Sequence, residues 1–368
     1  MDDVFVRVRV EDLDRFVVQV LGELGVPAED ARVTAEVLTA ADLRGVDSHG
    51  VANLGRTVRG LRAGALNPRP QYRVLLDSPT MFQMDAGGGL GHPAGRHAMQ
   101  QAIARAGIGG LGVSLVCNSS HYGIAGYYAM LALERDMIGI SMTNAHLLVT
   151  PTFGREALLG TNPLAMAAPA GQAQPFVLDM ATSVVAQGKV AIQGRLGQPI
   201  PPGWALDEDG RPTTDTQRVL ANLSHQLGGG LLPLGGEGEI TGGHKGYGLA
   251  LMVDILCGVL SGAGSVEHLT VQRGAAREGW GGIGHFFLAL NVAAFRPLQQ
   301  FRQEMDALFL ALTTSAKAPG YDRIYIPGAK EFEMELQRRR EGIPLHRQVL
   351  QQLGELAASL GLTLPATV

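Results

Sequence analysis

The sequence predicts an α/β subunit of layered elements with helical N- and C-terminal segments. Three observations predict it. Residues 1–65 carry apolar side chains at helical spacing. Between about residues 90 and 330, short apolar strands alternate with helical stretches. From about Lys330 to Leu360 the pattern is helical again, with the charged face "EMELQRRREG". No internal repeat is visible, and no clean linker divides the chain.

The elements follow in order. "VEDLDRFVVQVLGELG" has acids in its first turn and Gly25 as its stop. "PAEDARVTAEVLTAADLRG" starts at Pro27, a residue favoured at helix starts. A third helix is expected from about Gly50 to Arg62. "YRVLLDS" and "MFQMDA" read as a strand pair around a Ser-Pro turn. Pro93 opens a helix through Arg105. "GLGVSLV" is a strand, "GIAGYYAMLALER" a helix beginning near Tyr122, and "MIGISMTN" a strand. "PFVLDMA" is a strand leading into a helix from about Ala186. "GYGLALMVDILCGVLSG" reads as a long apolar helix, "HFFLALNV" as a buried strand and "RIYIPG" as a last strand.

Composition excludes several classes. The 368 residues are 46% hydrophobic and 17% charged, an ordinary globular balance rather than a disordered one. The net charge is −4 and the basic residues are scattered, so no nucleic-acid surface is expected. "MDDVFVRVRVEDLD" lacks the basic start and apolar stretch of a signal peptide, and no apolar run is long enough to span a bilayer. Cys117 and Cys257 each sit in an apolar run, which fits buried thiols in a reducing, cytoplasmic setting. The 50 glycines follow no period, which leaves close backbone approach as their use.

Several stretches carry candidate chemistry. In "DSHGVANLGR" Ser48 and His49 either cap a helix or face a substrate. "GLGHPA" matches the glycine spacing of a dinucleotide fingerprint, but the next strand ends in "VSLVCNSSH" without the acid that would hold a ribose. Its glycines are expected to serve a tight strand–helix turn. In "NSSHYGIAG" His121 precedes a helix, whose dipole favours the neutral imidazole that a general base needs; a capped loop with an exposed histidine fits the same letters. "GHKGYG" puts Lys245 in a helix's first turn, unfavourable unless an anion binds there; a solvated lysine is the alternative. Asp179, Thr182 and Ser183 in "LDMATS" lie at a strand's C-terminal end, where α/β ligands usually sit. "GTNPLA" and "MTNAH" are similar strand-edge loops. His49, His121, His146, His244 and His285 show no metal-ligand spacing, and no metal is expected.

Taken together, "DSHGV", "NSSHYGIAGYYA", "GTNPLA", "DMATS", "PPGWALDEDGRPTTD", "GHKGYGLALMVDIL", "HFFLALNV" and "REGIPL" occur in an order that resembles the type 2 malate/L-lactate dehydrogenase family. That group includes ureidoglycolate, sulfolactate and diketogulonate enzymes and a piperideine-carboxylate reductase. The resemblance implies a mixed β-sheet between helical layers that binds NADH or NADPH without a Rossmann fold. It implies a cytoplasmic homodimer with the site near the interface, and a 2-oxo/2-hydroxy acid or related cyclic imine as substrate. It assigns substrate binding and acid/base chemistry to Ser48, His49 and His121; the expected helix N-terminus favours His121 as the principal acid/base, with His49 second and Ser48 as hydrogen-bonding partner. It assigns cofactor contacts to Thr143, Asn144, Asp179, Met180, Ala181, Thr182, Ser183, His244, Lys245 and Gly328. Three regions follow: 1–78, helical and carrying Ser48 and His49; 79–329, the cofactor-binding sheet; and 330–368, packing back on the subunit. Family members often place a carboxylate-clamping arginine where this chain has Asn53, a tyrosine where it has Thr57, and a glutamate where it has Ala329. Asn53 cannot form a charged bidentate pair. Arg56, one helical turn on, is the expected substitute, with Arg59 second. A substrate lacking that carboxylate, or a cofactor-binding relative without activity, are the alternatives.

Overall fold

The computed structural model describes residues 4–264 and 282–367; the part of the 79–329 region between them lies outside the described residues. The chain opens with strand β1 (Phe5–Val8), which the helical pattern concealed, and continues into α1 (Val10–Glu23) and α2 (Ala28–Leu43). Leu13, Phe16, Val17, Val20 and Leu21 fall on one face of α1 and are buried. They share a core with Val58 and Leu61 of α3 (Leu54–Arg62) and with Leu345, Val349 and Leu353 near the C-terminus. The two chain ends therefore build one apolar cluster.

The C-terminal stretch is not continuously helical. Helix Ala329–Glu341 stops at Gly342, whose φ of +86° is left-handed, and Pro344 prevents its resumption. The next four residues form a strand, Ile343–His346, that pairs antiparallel with β1. Helix Arg347–Leu360 follows.

The central sheet has seven strands: β2 (Arg73–Asp77), β3 (Met81–Asp85), β4 (Leu111–Ser119), β5 (Met137–Thr143), β6 (Leu164–Ala168), β7 (Phe176–Met180) and the strand Ile283–Asn291, inserted between β4 and β5. Only β3 and β4 run parallel; the other neighbours are antiparallel. A Rossmann sheet is parallel throughout its nucleotide-binding half, so this topology agrees with setting "GLGHPA" aside. Helices α4 (Gly91–Gly109) and α5 (Ala125–Leu131) cover one face through Ala98, Ala102, Tyr128 and Ala129. On the other face lies a smaller cluster of Met142, Phe286, Val253 and Cys257. The last two belong to α8 and its extension, described below.

"RIYIPG" forms no strand. Val177 donates to the carbonyl of Pro327 (3.1 Å), but Pro327 has no N–H with which to extend a ladder. Among the described residues, α7 (Thr216–His225), Leu298–Thr314 and the single turn Val292–Phe295 escaped the sequence reading. With α6 (Gln187–Leu196) and a small three-stranded sheet, α7 closes a lobe around Val149, Val219 and Leu231. The predicted long apolar helix is α8 (Gly243–Asp254), which widens to π geometry over Ile255–Val259. Cys117 and Cys257 are both free and buried. Among the described residues, no helix is long and apolar enough to cross a membrane.

Candidate active site

The loop after α2 makes two short 3₁₀ turns, Asp47–His49 and Val51–Asn53, before α3 begins. Asn53 donates its side-chain amide to the Ser48 carbonyl (2.6 Å), so it braces the loop. The buried carboxyl of Asp42 accepts from Val51 N–H (2.9 Å). Arg338, from the penultimate helix, bonds both the Asp42 carbonyl and the Asp47 carboxylate. The loop carrying Ser48 and His49 is thus pinned from three sides.

Burial pushes the Asp42 carboxyl up to about 8. Its folded value lies above the ordinary carboxylate range, so folding favours the protonated form. Stability from this group is present at low pH and is lost as pH rises toward about 8. Asp42→Asn keeps an oxygen for Val51 and cannot ionise. We expect it to flatten the fall in denaturation midpoint between about pH 5 and 9. Parallel pH profiles for the two proteins would contradict this account.

Ser48 Oγ lies 2.9 Å from His49 Nδ1. The His49 ring stacks on His121, with centroids 5.6 Å apart and planes 27° from parallel. His121 follows β4. The sequence places a helix start at Tyr122, but α5 begins only at Ala125, because Gly123 takes a left-handed φ of +84°. Another cause therefore keeps His121 neutral. Burial, and then His49 and Arg56, hold its pKa well below the ordinary imidazole value; burial lowers His49 as well. Gly123 N–H donates to His121 Nδ1 (3.2 Å), which leaves the proton of the neutral ring on Nε2.

The two rings of this pair line different cavities, His49 the larger and His121 the smaller. The larger, about 370 Å³, is lined by Ser48, His49, Asp179, Met180, Ala181 and Gly328, together with the cationic side chains of Arg44, Lys189 and Lys330. The smaller, about 20 Å³, is lined by His121, Asn53, Arg56, Thr57, Ser120 and His92.

The other residues singled out from sequence divide into groups. Asp179 is exposed to the large cavity and accepts from Gly126 N–H (2.8 Å), and desolvation there raises its carboxyl to about 6. Thr143, Asn144, Thr182 and Ser183 are buried, and their side chains bond inward to the backbone of Gly284, Asn162 and Val185. His244 and Lys245 are exposed at the start of α8 and line neither cavity. Arg56 reaches His146 Nε2, and burial with that cation lowers His146 to about 3. Sequence reasoning missed Arg44, Lys189, Lys330 and His92 as cavity residues. Only His92 sat inside a motif that had drawn attention. Among the described residues, no group of three His, Cys, Asp or Glu is arranged to hold a metal.

Residues 8–354 match the family described as malate/L-lactate dehydrogenase. The chain belongs to this family. Among malate/L-lactate dehydrogenase relatives, it is 45% identical over 363 residues to malate dehydrogenase from Pyrococcus horikoshii, covering 98% of this chain and 97% of that one. It is 38% identical over 355 residues to L-sulfolactate dehydrogenase from Methanocaldococcus jannaschii, covering 96% and 97%. The crystal structure of malate dehydrogenase from Entamoeba histolytica superposes with a TM-score of 0.94 at 36% identity, covering 98% of this chain and 100% of that one. As a malate/L-lactate dehydrogenase the chain is an oxidoreductase acting on CH–OH groups, and the family implies a nicotinamide cofactor. The large cavity suits that group. It offers Lys189 and Lys330 for phosphates, with Arg44 paired to Glu335 and the carboxylates of Asp179 and Glu331 on the same wall, and apolar walls from Ile124, Val177 and Met180 for a flat ring.

Proposed function

We propose that the chain interconverts a small 2-oxo acid and its 2-hydroxy acid, using NADH or NADPH, with the reacting carbonyl at the His49–His121 pair. The stacked pair, with one ring on each cavity, is the observation that carries this reading. A nicotinamide ring, when bound, supplies or accepts the hydride. The large cavity would hold it, and the substrate's carboxylate end would enter the small one.

The roles of the residues follow from their bonding. His121 presents Nε2–H to the carbonyl oxygen and polarises it. His49, within ring contact and bonded to Ser48, carries the exchanged proton: charged, it gives the proton to that oxygen on reduction, and neutral, it takes the proton back on oxidation, while His121 keeps its Nε2–H. The cation nearest this site in the small cavity is Arg56, which takes the place of the family arginine missing at Asn53. The 370 Å³ cavity is smaller than a full dinucleotide, so a cofactor role for His244 and Lys245 needs the adenosine half to extend beyond it. The assay follows nicotinamide absorbance with each cofactor against pyruvate, oxaloacetate and cyclic imino acids. Turnover of at least one 2-oxo acid is expected, and silence across the panel would sink the proposal.

We also propose a homodimer. Leu251, Met252, Ile255, Val259 and Leu260 form an exposed apolar stripe along α8 and its π extension. Ile255→Glu is expected to shift the particle mass, measured by light scattering, to that of one chain. A retained dimer would place the interface elsewhere.

A further inference from the structure

Within "GLGHPA", Gly89 and Gly91 are explained by the fold: Ser120 Oγ accepts from Gly91 N–H (3.0 Å) and donates to the Gly89 carbonyl (3.1 Å). His92 is not explained. Its side chain is 3% exposed, and neither ring nitrogen has a hydrogen-bond partner among the described residues. A buried imidazole with both nitrogens unpaired is a costly arrangement for a core position. It lines the small cavity together with Arg56 and His121, among the apolar walls of Leu38, Leu66 and Leu90.

Deepening the functional reading above, on which this rests, we infer that His92 and Arg56 together form the carboxylate clamp of the substrate, His92 donating a ring N–H to one oxygen while Arg56 supplies the charge. The cavity is complementary to such a group. At about 20 Å³ it has room for about one water, so it admits one carboxylate oxygen, the rest of the group standing at its mouth. Its cation and its unspent donor face the same space, and its remaining walls are apolar or uncharged. Burial lowers His92 to about 4, so it meets the ligand as a neutral ring with one donor and one acceptor. The space of one water is the space that one carboxylate oxygen takes. Asn53, tied to the Ser48 carbonyl, is then a brace and not a replacement anchor.

The test compares His92→Leu with the unsubstituted enzyme, each loaded with nicotinamide cofactor. KM for pyruvate or oxaloacetate should rise roughly tenfold to a hundredfold, with kcat changed by less than about threefold. The inhibition constant of oxamate, a non-reacting carboxylate analogue, should rise in parallel. The denaturation midpoint should hold or increase, because no native hydrogen bond is lost. His92→Asn, smaller and still able to donate, should recover part of the affinity and covers the case in which leucine does not fit. Unchanged KM and oxamate inhibition in both variants, or a fall in kcat at constant KM, would overturn the clamp alone. Absence of any 2-oxo acid turnover by the unsubstituted enzyme would overturn the functional reading beneath it.

Discussion

His121→Ala is expected to lower kcat by about 10²- to 10⁴-fold while cofactor affinity and folding stay near normal. The side chain lines the small cavity and spends only one weak bond on its own loop, from Gly123. Its removal therefore takes away the group that touches the substrate oxygen without opening the core. The pH dependence should carry the same signature. Alcohol oxidation needs neutral His49 to accept a proton beside neutral His121, and burial depresses both imidazoles. The neutral form thus persists to lower pH, and the acid limb of the oxidation profile should lie below the usual imidazole value of about 6.5. Stopped-flow measurement of the hydride step, with cofactor binding followed by fluorescence, checks both points. A variant retaining more than about a tenth of normal kcat would remove His121 from the chemistry.

Gly91→Ala is the second large effect, and it acts through packing. A Cβ at this position would stand 2.7 Å from the His121 carbonyl oxygen and closer still to that of Ser120. Both obstacles are backbone, so no side-chain rotation relieves them. Helix α4 cannot retreat easily, because Ala98 and Ala102 pack it against the sheet. The His121 loop cannot retreat either without losing the Ser120 bonds to Gly89 and Gly91. We expect a loss of about 3 kcal/mol or more in folding free energy, and turnover reduced in whatever protein folds. Denaturant titration beside kcat reports each part. A wild-type midpoint would mean that the helix start is more yielding than its packing implies.

The features most legible in the sequence were those with a local cause. Apolar spacing located α1, α2 and the buried strands, and the missing acid after "GLGHPA" argued correctly against a parallel nucleotide fold. What escaped depended on distant partners. β1 and Ile343–His346 are four residues each and become strands only by pairing with one another. Helix Leu298–Thr314 buries little besides Phe309, leaving Leu308, Leu310 and Leu312 exposed, so its pattern lacks a clear inward face. Helix α7 did carry a readable signal: Asp215 caps it by accepting from Arg218 N–H (3.0 Å). At the candidate site, Ser48, His49 and His121 could be singled out from their neighbours in sequence. His92 could not, because what distinguishes it is an absence of partners that only the folded chain reveals.

The bond from Arg338 to Asp47 joins positions 291 residues apart. Ser48 and His49 are made early, whereas the arginine that pins their loop is made late. At roughly 5–20 residues per second, a ribosome needs on the order of 15–60 s to go from one to the other. Throughout that interval the growing polypeptide carries Ser48 and His49 without the arginine that ties their loop to the C-terminal helices. Competence for turnover should therefore arrive abruptly, once Arg338 has been made, rather than accumulate as the sheet forms.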